Sequence, residues 1–280
     1  MARFTILLTD RNKNPHVRCF EDVAMALADA LKRLGHELAP ETDPGRLIIF
    51  GANNLLEHPE GPGIPDDAII FNAEQLTAVA DPRYFMQGFV KQRQLVVWDY
   101  SLANVAALKR IGITRAVHCP IGYVPSMTKI SSRVQDIDVL HYGSVGVSRR
   151  REILDALDKT GLHVERLFNV YGAERDAFIA RSKVVLNLRY YERGAFEIFR
   201  VSHLLANRAC VVTEAGGVDA QLEEFAQKAC EYVNRDQIVD TCQRLVANER
   251  AREFVATRGH LAFKQTSFVD NVRKALEQSS

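Results

Sequence analysis

The stretch that decides the fold runs from Val184 to Glu214 and reads VVLNLRYYERGAFEIFRVSHLLANRACVVTE. It begins with an apolar run typical of a buried strand, passes through a polar aromatic loop into a helix, and ends in a second apolar run, Cys210–Thr213. In parallel α/β sheets, ligands bind where the carboxyl end of a strand meets the following helix. The polar residues of this loop and of the helix start therefore predict a binding site.

The same alternation of apolar strand runs and helices extends over both halves of the chain. Leu47–Gly51, Ala68–Asn72 and Leu95–Asp99 are short continuous apolar runs, which suit parallel strands covered on both faces. The polar stretch Thr128–Asp136 has no strong periodicity and predicts a linker. The pattern therefore predicts the α/β class, with two Rossmann-like domains whose parallel sheets face each other across a cleft. The predicted division is an N-terminal domain over 1–127, a linker over 128–136 and a C-terminal domain over 137–260.

The composition of the 280-residue chain is that of an ordinary globular protein, with 47% hydrophobic and 25% charged residues. Its formal net charge of +1 is too small to hold a polyanion, so we expect no nucleic-acid partner. No apolar run approaches the roughly 20 residues that span a bilayer. We therefore expect a cytoplasmic protein, with peripheral contact at the inner face of a membrane left open.

The cysteines and histidines indicate neither disulfide bonds nor a metal site. The five cysteines form no CxxC motif and no regular spacing, which indicates a reducing compartment. The eight histidines are scattered, and none pairs with a cysteine at the spacing of zinc ligands. We therefore expect no metal.

A strand followed by YGSVGVSRRR, residues 142–151, opens the second half. Gly143 and Ser144 allow a tight turn from strand to helix, and Arg149 and Arg150 lie at the helix start. Free amides at a helix start beside two arginines predict a site for a phosphate or diphosphate. A glycine-containing turn followed by solvated arginines explains this segment equally well. Neither a Walker loop nor a GxGxxG motif is present, which argues against an ATPase and a dinucleotide oxidoreductase.

Glu197 and Arg200 are three residues apart on the predicted helix over 195–208, so a surface ion pair explains them simply. Their place near the amino end of a helix that follows a buried strand favours a functional role. A carboxylate there can accept hydrogen bonds from a ribose diol, and Tyr190 or Tyr191 can stack on a base or a sugar. Glu214 ends the next strand and reaches the same edge.

Polar residues also follow the strands of the first half. Helix capping explains Asp99 as well as a ligand contact does, because a helix is predicted to start near Leu102. Glu74 is the candidate general base, because its loop is expected to face the second domain. The other candidates on this acceptor side are Asp10, Asn53, Gln75, Asp99 and Tyr100.

The string from Val184 to Glu214 resembles the C-terminal domain of GT-B-fold glycosyltransferases, in particular bacterial members of the family 1 and family 4 type. These carry a pattern like N-x-[HR]-Y-Y, then E-x-x-R, then V-V-[ST]-E. The matching residues here are Asn187, Arg189, Tyr190, Tyr191, Glu197, Arg200 and Glu214. The strings DVLHYGSVGVSRRREIL, FNAEQL and VVWDYSLAN look like other parts of the same family. The resemblance covers most of the chain, and its most specific part is about thirty residues long.

The resemblance implies a hexosyltransferase that moves a sugar from a nucleotide-diphosphate sugar to a glycan, lipid-linked or protein acceptor, in glycan or polysaccharide biosynthesis. It implies no cofactor and no obligatory metal. Donor contacts then come from the C-terminal domain, through Gly143, Ser144, Arg149 and Arg150 together with the matching residues, and acceptor contacts come mostly from the N-terminal domain. It also suggests that a C-terminal helix within 261–280 crosses back to the first domain.

One position departs from the family. Many retaining members carry two glutamates spaced E-x7-E, and His203 stands where the second would be. Together with the short first domain, this departure favours a second function, a non-catalytic protein that binds a nucleotide or glycan in the same fold or serves a partner glycosyltransferase. A third function, a nucleotide-sugar epimerase, would use the same donor site.

Overall fold

Short apolar runs of the sequence form two separate parallel sheets in a computed structural model of the chain, which describes residues 1–9, 14–52, 64–77, 94–131 and 133–279. The described strands are β1 (Arg3–Leu8), β2 (Glu37–Leu38), β3 (Arg46–Phe50), β4 (Ile69–Asn72), β5 (Val96–Asp99), β6 (Ala116–His118), β7 (Ile137–Tyr142), β8 (Val164–Leu167), β9 (Ser182–Asn187), β10 (Val211–Glu214) and β11 (Glu231–Val233). The described helices are α1 (Glu21–Arg33), α2 (Leu102–Arg110), α3 (Ser148–Asp158), α4 (Gly172–Arg181), α5 (Ile198–Ala206), α6 (Ala220–Ala229), α7 (Ile238–Ala247), α8 (Glu249–Lys264) and α9 (Phe268–Glu277).

The chain divides into two compact units. Unit 1 contains Met1–Val124 and Ser267–Ser280, and unit 2 contains Pro125–Thr266. The chain enters unit 2 at Pro125, so the predicted linker over 128–136 is part of unit 2. It returns to unit 1 after α8, which continues to Lys264, beyond the predicted end of the C-terminal domain at residue 260.

Unit 1 is built on a sheet with the strand order β2-β1-β3-β4-β5-β6, in which every strand pair is parallel. Its three central strands β3, β4 and β5 are almost entirely buried, as continuous apolar runs predict. Helix α9 packs in this unit through the buried side chains of Phe268, Val272 and Ala275. Just beyond its end, the indole nitrogen of Trp98 donates a hydrogen bond of 2.8 Å to the Ser279 hydroxyl.

Unit 2 is built on a sheet with the order β11-β10-β9-β7-β8, again with every pair parallel. The side chains of β7, β9 and β10 are almost all buried, and apolar residues of α3, α7 and α8 pack against them. Because the strands are parallel, their carboxyl ends lie at one edge of the sheet. Three neighbouring strands therefore place Tyr142, Asn187 and Glu214 side by side at the end of β7, β9 and β10.

The α/β class and the parallel sheets are confirmed, and most element bounds differ from prediction by one or two residues. The helix predicted over 195–208 is shorter. It begins at Ile198, after residues 194–196, which are buried and have no regular secondary structure, and it ends before Arg208, which takes a left-handed conformation with φ of +55°. The strands β2 and β11 have only two and three residues, too few for a recognisable pattern. Within the described ranges, no helix combines the length and the apolar character that a membrane crossing requires.

Candidate functional site

The turn after β7 shows why glycine stands at position 143. Gly143 has a φ of +120°, a conformation that residues with a side chain rarely adopt. A Cβ atom built there would lie 2.6 Å from the Nη2 atom of Arg200. Glycine therefore lets the Arg200 guanidinium approach the main chain at the end of β7. The next helix, α3, begins without a side-chain cap, and the Ser144 hydroxyl accepts a hydrogen bond of 3.2 Å from the amide of Gly146.

A carboxylate shared by two guanidinium groups lies beside this turn. Glu197 immediately precedes α5, and its Oε1 atom lies 2.7 Å from the Nη2 atom of Arg150. Its Oε2 atom lies 3.1 Å from the Nη2 atom of Arg200. The surface ion pair that the sequence allowed is thus a largely buried cluster of three side chains.

The two arginines of this cluster differ in their exposure and in the number of their hydrogen-bond partners. The side chain of Arg150 is 2% exposed, and its Nη atoms also donate to the main-chain oxygens of Ser144 at 2.8 Å and Leu188 at 2.5 Å. Arg150 therefore ties the ends of β7 and β9 to the start of α5. The side chain of Arg200 is 16% exposed, and its buried Nη1 atom finds no hydrogen-bond acceptor among the described residues. The Nη1 atom of Arg200 is therefore a donor that a ligand could use.

The environment of Glu197 keeps its carboxyl group ionised. Burial alone raises the pKa, but the guanidinium groups of Arg200 and Arg150 outweigh burial and hold the pKa of Glu197 below its ordinary value. A carboxylate with a lowered pKa is a hydrogen-bond acceptor for hydroxyl groups and a poor general base at neutral pH.

A second carboxylate–guanidinium cluster lies at the end of β10. The Oε1 atom of Glu214 lies 2.6 Å from the Nη2 atom of Arg149 and 3.8 Å from the Nη1 atom of Arg235. The Nη1 atom of Arg149 also donates to the main-chain oxygen of Tyr191 at 3.3 Å. Arg149 and Arg150 are adjacent in α3, and each serves a different carboxylate.

Arg189 fixes the loop between β9 and α5. Its side chain is almost fully buried and donates to the main-chain oxygens of Glu214 at 3.1 Å and Gly194 at 2.7 Å. Its Nη2 atom lies 2.6 Å from the Oε1 atom of Glu223, and its amide donates to Glu214. The Oε2 atom of Glu223 accepts in turn from the hydroxyl of Tyr232 at 2.6 Å. Each side-chain nitrogen of Arg189 has at least one partner, so Arg189 positions the loop.

Two tyrosines of that loop are the exposed aromatic side chains of the site. Tyr190 and Tyr191 are 36% and 37% exposed and meet edge to face, with ring centroids 5.0 Å apart. The guanidinium carbon of Arg150 lies 5.2 Å from the centroid of the Tyr190 ring, within cation–π range. Since Arg150 supports Tyr190 and is itself buried, the ring is held in place and can stack on a flat ligand group.

Asn187 and His203 occupy different places relative to this edge. Asn187, at the end of β9, donates from Nδ2 to the Thr213 hydroxyl at 2.9 Å, and its buried Oδ1 atom finds no donor among the described residues. The Nε2 atom of His203 lies 2.8 Å from the Oδ1 atom of Asp176 and 3.0 Å from the Nη2 atom of Arg175. His203 is therefore engaged between α5 and α4.

The candidate residues on the predicted acceptor side belong to unit 1. Asp99 is fully buried, and its carboxylate accepts from Asn72 at 2.6 Å and from the amide of Ser101 at 2.8 Å, which is a structural arrangement just before α2. Burial raises the pKa of Glu74, which follows β4 and has its main chain held by Asn72. Tyr100 is buried and Gln75 is partly buried. Asp10 and Asn53 lie outside the described residues.

Three residues that belong to these clusters were not singled out in the sequence, namely Glu223, Tyr232 and Arg235. Tyr232 lies in the three-residue strand β11, which carries no pattern, and Arg235 follows it directly. Glu223 lies in the first turn of α6, where an acidic residue has an ordinary explanation in the helix dipole. Among the described residues, no group of histidine, cysteine and acidic side chains could hold a metal ion.

We compared the chain with known families, sequences and structures. No protein-family model matches the chain. A curated relative, the uncharacterized protein L140 of Acanthamoeba polyphaga mimivirus, is 29% identical over 189 residues. That match covers 64% of this chain, and the chain spans only 59% of the relative's length.

The solved structures with similar folds are GT-B glycosyltransferases. WaaG, a glycosyltransferase involved in lipopolysaccharide biosynthesis, matches with a TM-score of 0.58 and 13% identity over 98% of both chains. The DNA-modifying enzyme β-glucosyltransferase matches with a TM-score of 0.54 and 12% identity, over 99% of this chain and 97% of its own. TarM matches with a TM-score of 0.59 and 9% identity, over 92% of this chain and 58% of its own. The resemblance seen in the sequence is thereby confirmed at the level of the fold.

Proposed function

We propose that the protein is a glycosyltransferase that takes its sugar from a nucleoside-diphosphate sugar bound at the carboxyl edge of the unit 2 sheet. One observation carries the proposal. The Nε atom of Arg150 and the Nη1 atom of Arg200 are buried there, and neither finds a hydrogen-bond acceptor among the described residues. A buried charged donor without an acceptor is costly, so these groups favour an anionic ligand with several oxygens.

The arrangement suits the departure of a diphosphate. When the bond between the sugar C1 atom and the diphosphate oxygen breaks, negative charge develops on the leaving group, and guanidinium groups fixed beforehand stabilise it. Arg200 and Arg149 are the contacts we assign to the diphosphate, because their guanidinium groups are more exposed than that of Arg150. These groups supply the positive charge that other folds take from a metal ion, and we propose metal-independent transfer.

The remaining side chains orient the donor. Glu197, held ionised by its two arginines, accepts hydrogen bonds from ribose or sugar hydroxyls. Tyr190, supported from behind by Arg150, stacks on the base. Glu74 is the proposed general base for the acceptor hydroxyl, since burial raises its pKa towards the range in which a carboxylate accepts a proton readily.

The fold neighbours support this assignment. Uridine diphosphoglucose is the substrate of β-glucosyltransferase, and WaaG is a glycosyltransferase. The acceptor is unassigned. A net charge of +1 favours a glycan, lipid-linked or protein acceptor over a nucleic acid, although β-glucosyltransferase modifies DNA with the same fold.

Ligand-induced stabilisation tests the donor site. UDP, GDP, ADP and dTDP are each added to the purified protein, and the melting temperature is compared with that in the matching monophosphate. One diphosphate is expected to stabilise the protein by about 2.7 kcal/mol at 100 times its Kd, and its monophosphate by much less. If no diphosphate shifts the melting temperature, the proposed donor site is wrong. Slow release of free diphosphate from the corresponding nucleotide sugar then separates an enzyme from a protein that only binds.

Substitution of Gly143 tests the geometry of the turn. Gly143→Ala forces the Arg200 guanidinium away from the end of β7, so diphosphate affinity is expected to fall about tenfold, the value of one charge-assisted hydrogen bond. Gly161→Ala is the matched control, because Gly161 also has a positive φ, +80°, but an added Cβ there meets open space. The control is expected to lose about 1 kcal/mol of stability and no affinity. Equal affinities for both variants and the wild type would rule out this role of Arg200.

A further inference from the structure

The carboxylate of Glu214 has one guanidinium group in direct contact and a second one farther away. Its side chain is 3% exposed, the Nη2 atom of Arg149 lies 2.6 Å from Oε1, and the Nη1 atom of Arg235 lies 3.8 Å from the same oxygen. That Nη1 atom is buried and finds no hydrogen-bond acceptor among the described residues. At 3.8 Å, Arg235 therefore lies about 0.6 Å beyond the upper limit of hydrogen-bond range, ~3.2 Å, from a carboxylate that Arg149 already holds.

The rest of the Arg235 guanidinium is anchored. Its Nη2 atom donates to the main-chain oxygen of Arg149 at 2.6 Å and lies 2.8 Å from the Oε2 atom of Glu152. The anchoring keeps the unused Nη1 atom next to Glu214, so a small rotation of the guanidinium completes a second contact.

A second arginine near Glu214 lowers the free-energy cost of moving Arg149 away from this buried carboxylate. Removing the only partner of a buried charge costs about 3–5 kcal/mol. If Arg149 were the only guanidinium near Glu214, it could not turn to a diphosphate without leaving that carboxylate without a counter-ion, with the amide of Arg189 as its remaining donor. A second guanidinium within reach removes most of that penalty.

We propose that Arg235 is a positioning residue that takes over Glu214 when Arg149 moves to the diphosphate of the donor. The inference rests on the proposed function, since it assumes that a diphosphate binds at this edge. Glu197 shows the same arrangement in its completed form. Arg150 holds its Oε1 atom at 2.7 Å, so Arg200, at 3.1 Å from Oε2, can leave without exposing an unpaired carboxylate.

A double-mutant cycle tests the exchange of partners. The probe is whichever of UDP, GDP, ADP and dTDP the wild type binds most tightly by calorimetric titration. Arg235→Met is expected to weaken its binding about tenfold, because Arg149 then stays on Glu214. In the Glu214→Gln background no buried charge needs compensation, so adding Arg235→Met is expected to change the affinity less than twofold relative to Glu214→Gln alone.

Two controls separate this role from a structural one. Arg244→Met removes one positive charge from an exposed ion pair with Glu231 in the same unit, and it is expected to leave affinity unchanged. Arg235→Lys keeps the charge near Glu214 and is expected to restore most of the affinity. An equal loss from Arg235→Met in both backgrounds would overturn the inference and leave the donor site intact. A wild type that binds none of the four diphosphates overturns the proposed function itself.

Discussion

Replacing Glu197 with Gln is expected to lower the rate of sugar transfer about 100-fold, because the substitution removes the charge that holds two guanidinium groups in place. The free energy of unfolding is expected to fall by about 3 kcal/mol, since Arg150 and Arg200 then lack a counter-ion in a largely buried cluster. Activity is measured as release of nucleoside diphosphate from the donor sugar, and stability by urea unfolding. The variant is thus less stable as well as less active.

Glu192→Gln is the matched control for this variant. Glu192 lies in the same loop, five residues earlier, and is exposed to solvent. Its replacement removes the same charge without touching the cluster, so both activity and stability are expected to stay at the wild-type level. Full activity of Glu197→Gln, or an equal loss in both variants, would contradict the role assigned to Glu197.

Replacing Arg189 with Met is expected to lower the free energy of unfolding by about 3–5 kcal/mol. Met has a similar length, but it cannot donate to Glu214, Gly194 and Glu223, so the carboxylate of Glu223 is left without its guanidinium partner. Diphosphate affinity is expected to fall as well, because the loop that carries Tyr190 loses its attachment to the end of β10. Urea unfolding and calorimetric titration measure the two effects.

Arg193→Met provides the comparison for Arg189→Met. Arg193 belongs to the same loop and is exposed, so its replacement is expected to change stability by less than about 0.5 kcal/mol. A loss of less than 1 kcal/mol in Arg189→Met would mean that the buried network does not hold the loop.

The strands that form the edge of the site could be predicted from the sequence. A strand was predicted directly before residues 142–151, where β7 lies, and the predicted run Cys210–Thr213 differs from β10 by one residue at each end. Continuous runs of valine, isoleucine and leucine are specific for buried parallel strands, and the polar residues that follow them have to lie at one edge. For that reason the sequence alone predicted that Glu197, Arg200, Arg149 and Glu214 lie at this edge, and the structure places them there.

The sequence could not separate the roles of neighbouring residues. Arg149 and Arg150 look alike in a run of three arginines, but adjacent helix positions point about 100° apart, and only Arg150 is buried. Arg235 and Glu223 were missed because their partners Glu152 and Arg189 lie 83 and 34 residues away along the chain, at no fixed spacing. Long-range ion pairs leave no periodic trace in a sequence, whereas strands and helices do.

A crystal structure of the protein with the bound nucleoside diphosphate tests the central claim most directly. We expect the two phosphates at the carboxyl edge of the unit 2 sheet, within 3.2 Å of the guanidinium nitrogens of Arg149 and Arg200, with Arg235 moved onto Glu214. A nucleotide bound elsewhere, or an edge left empty with Arg149 still on Glu214, would contradict the account.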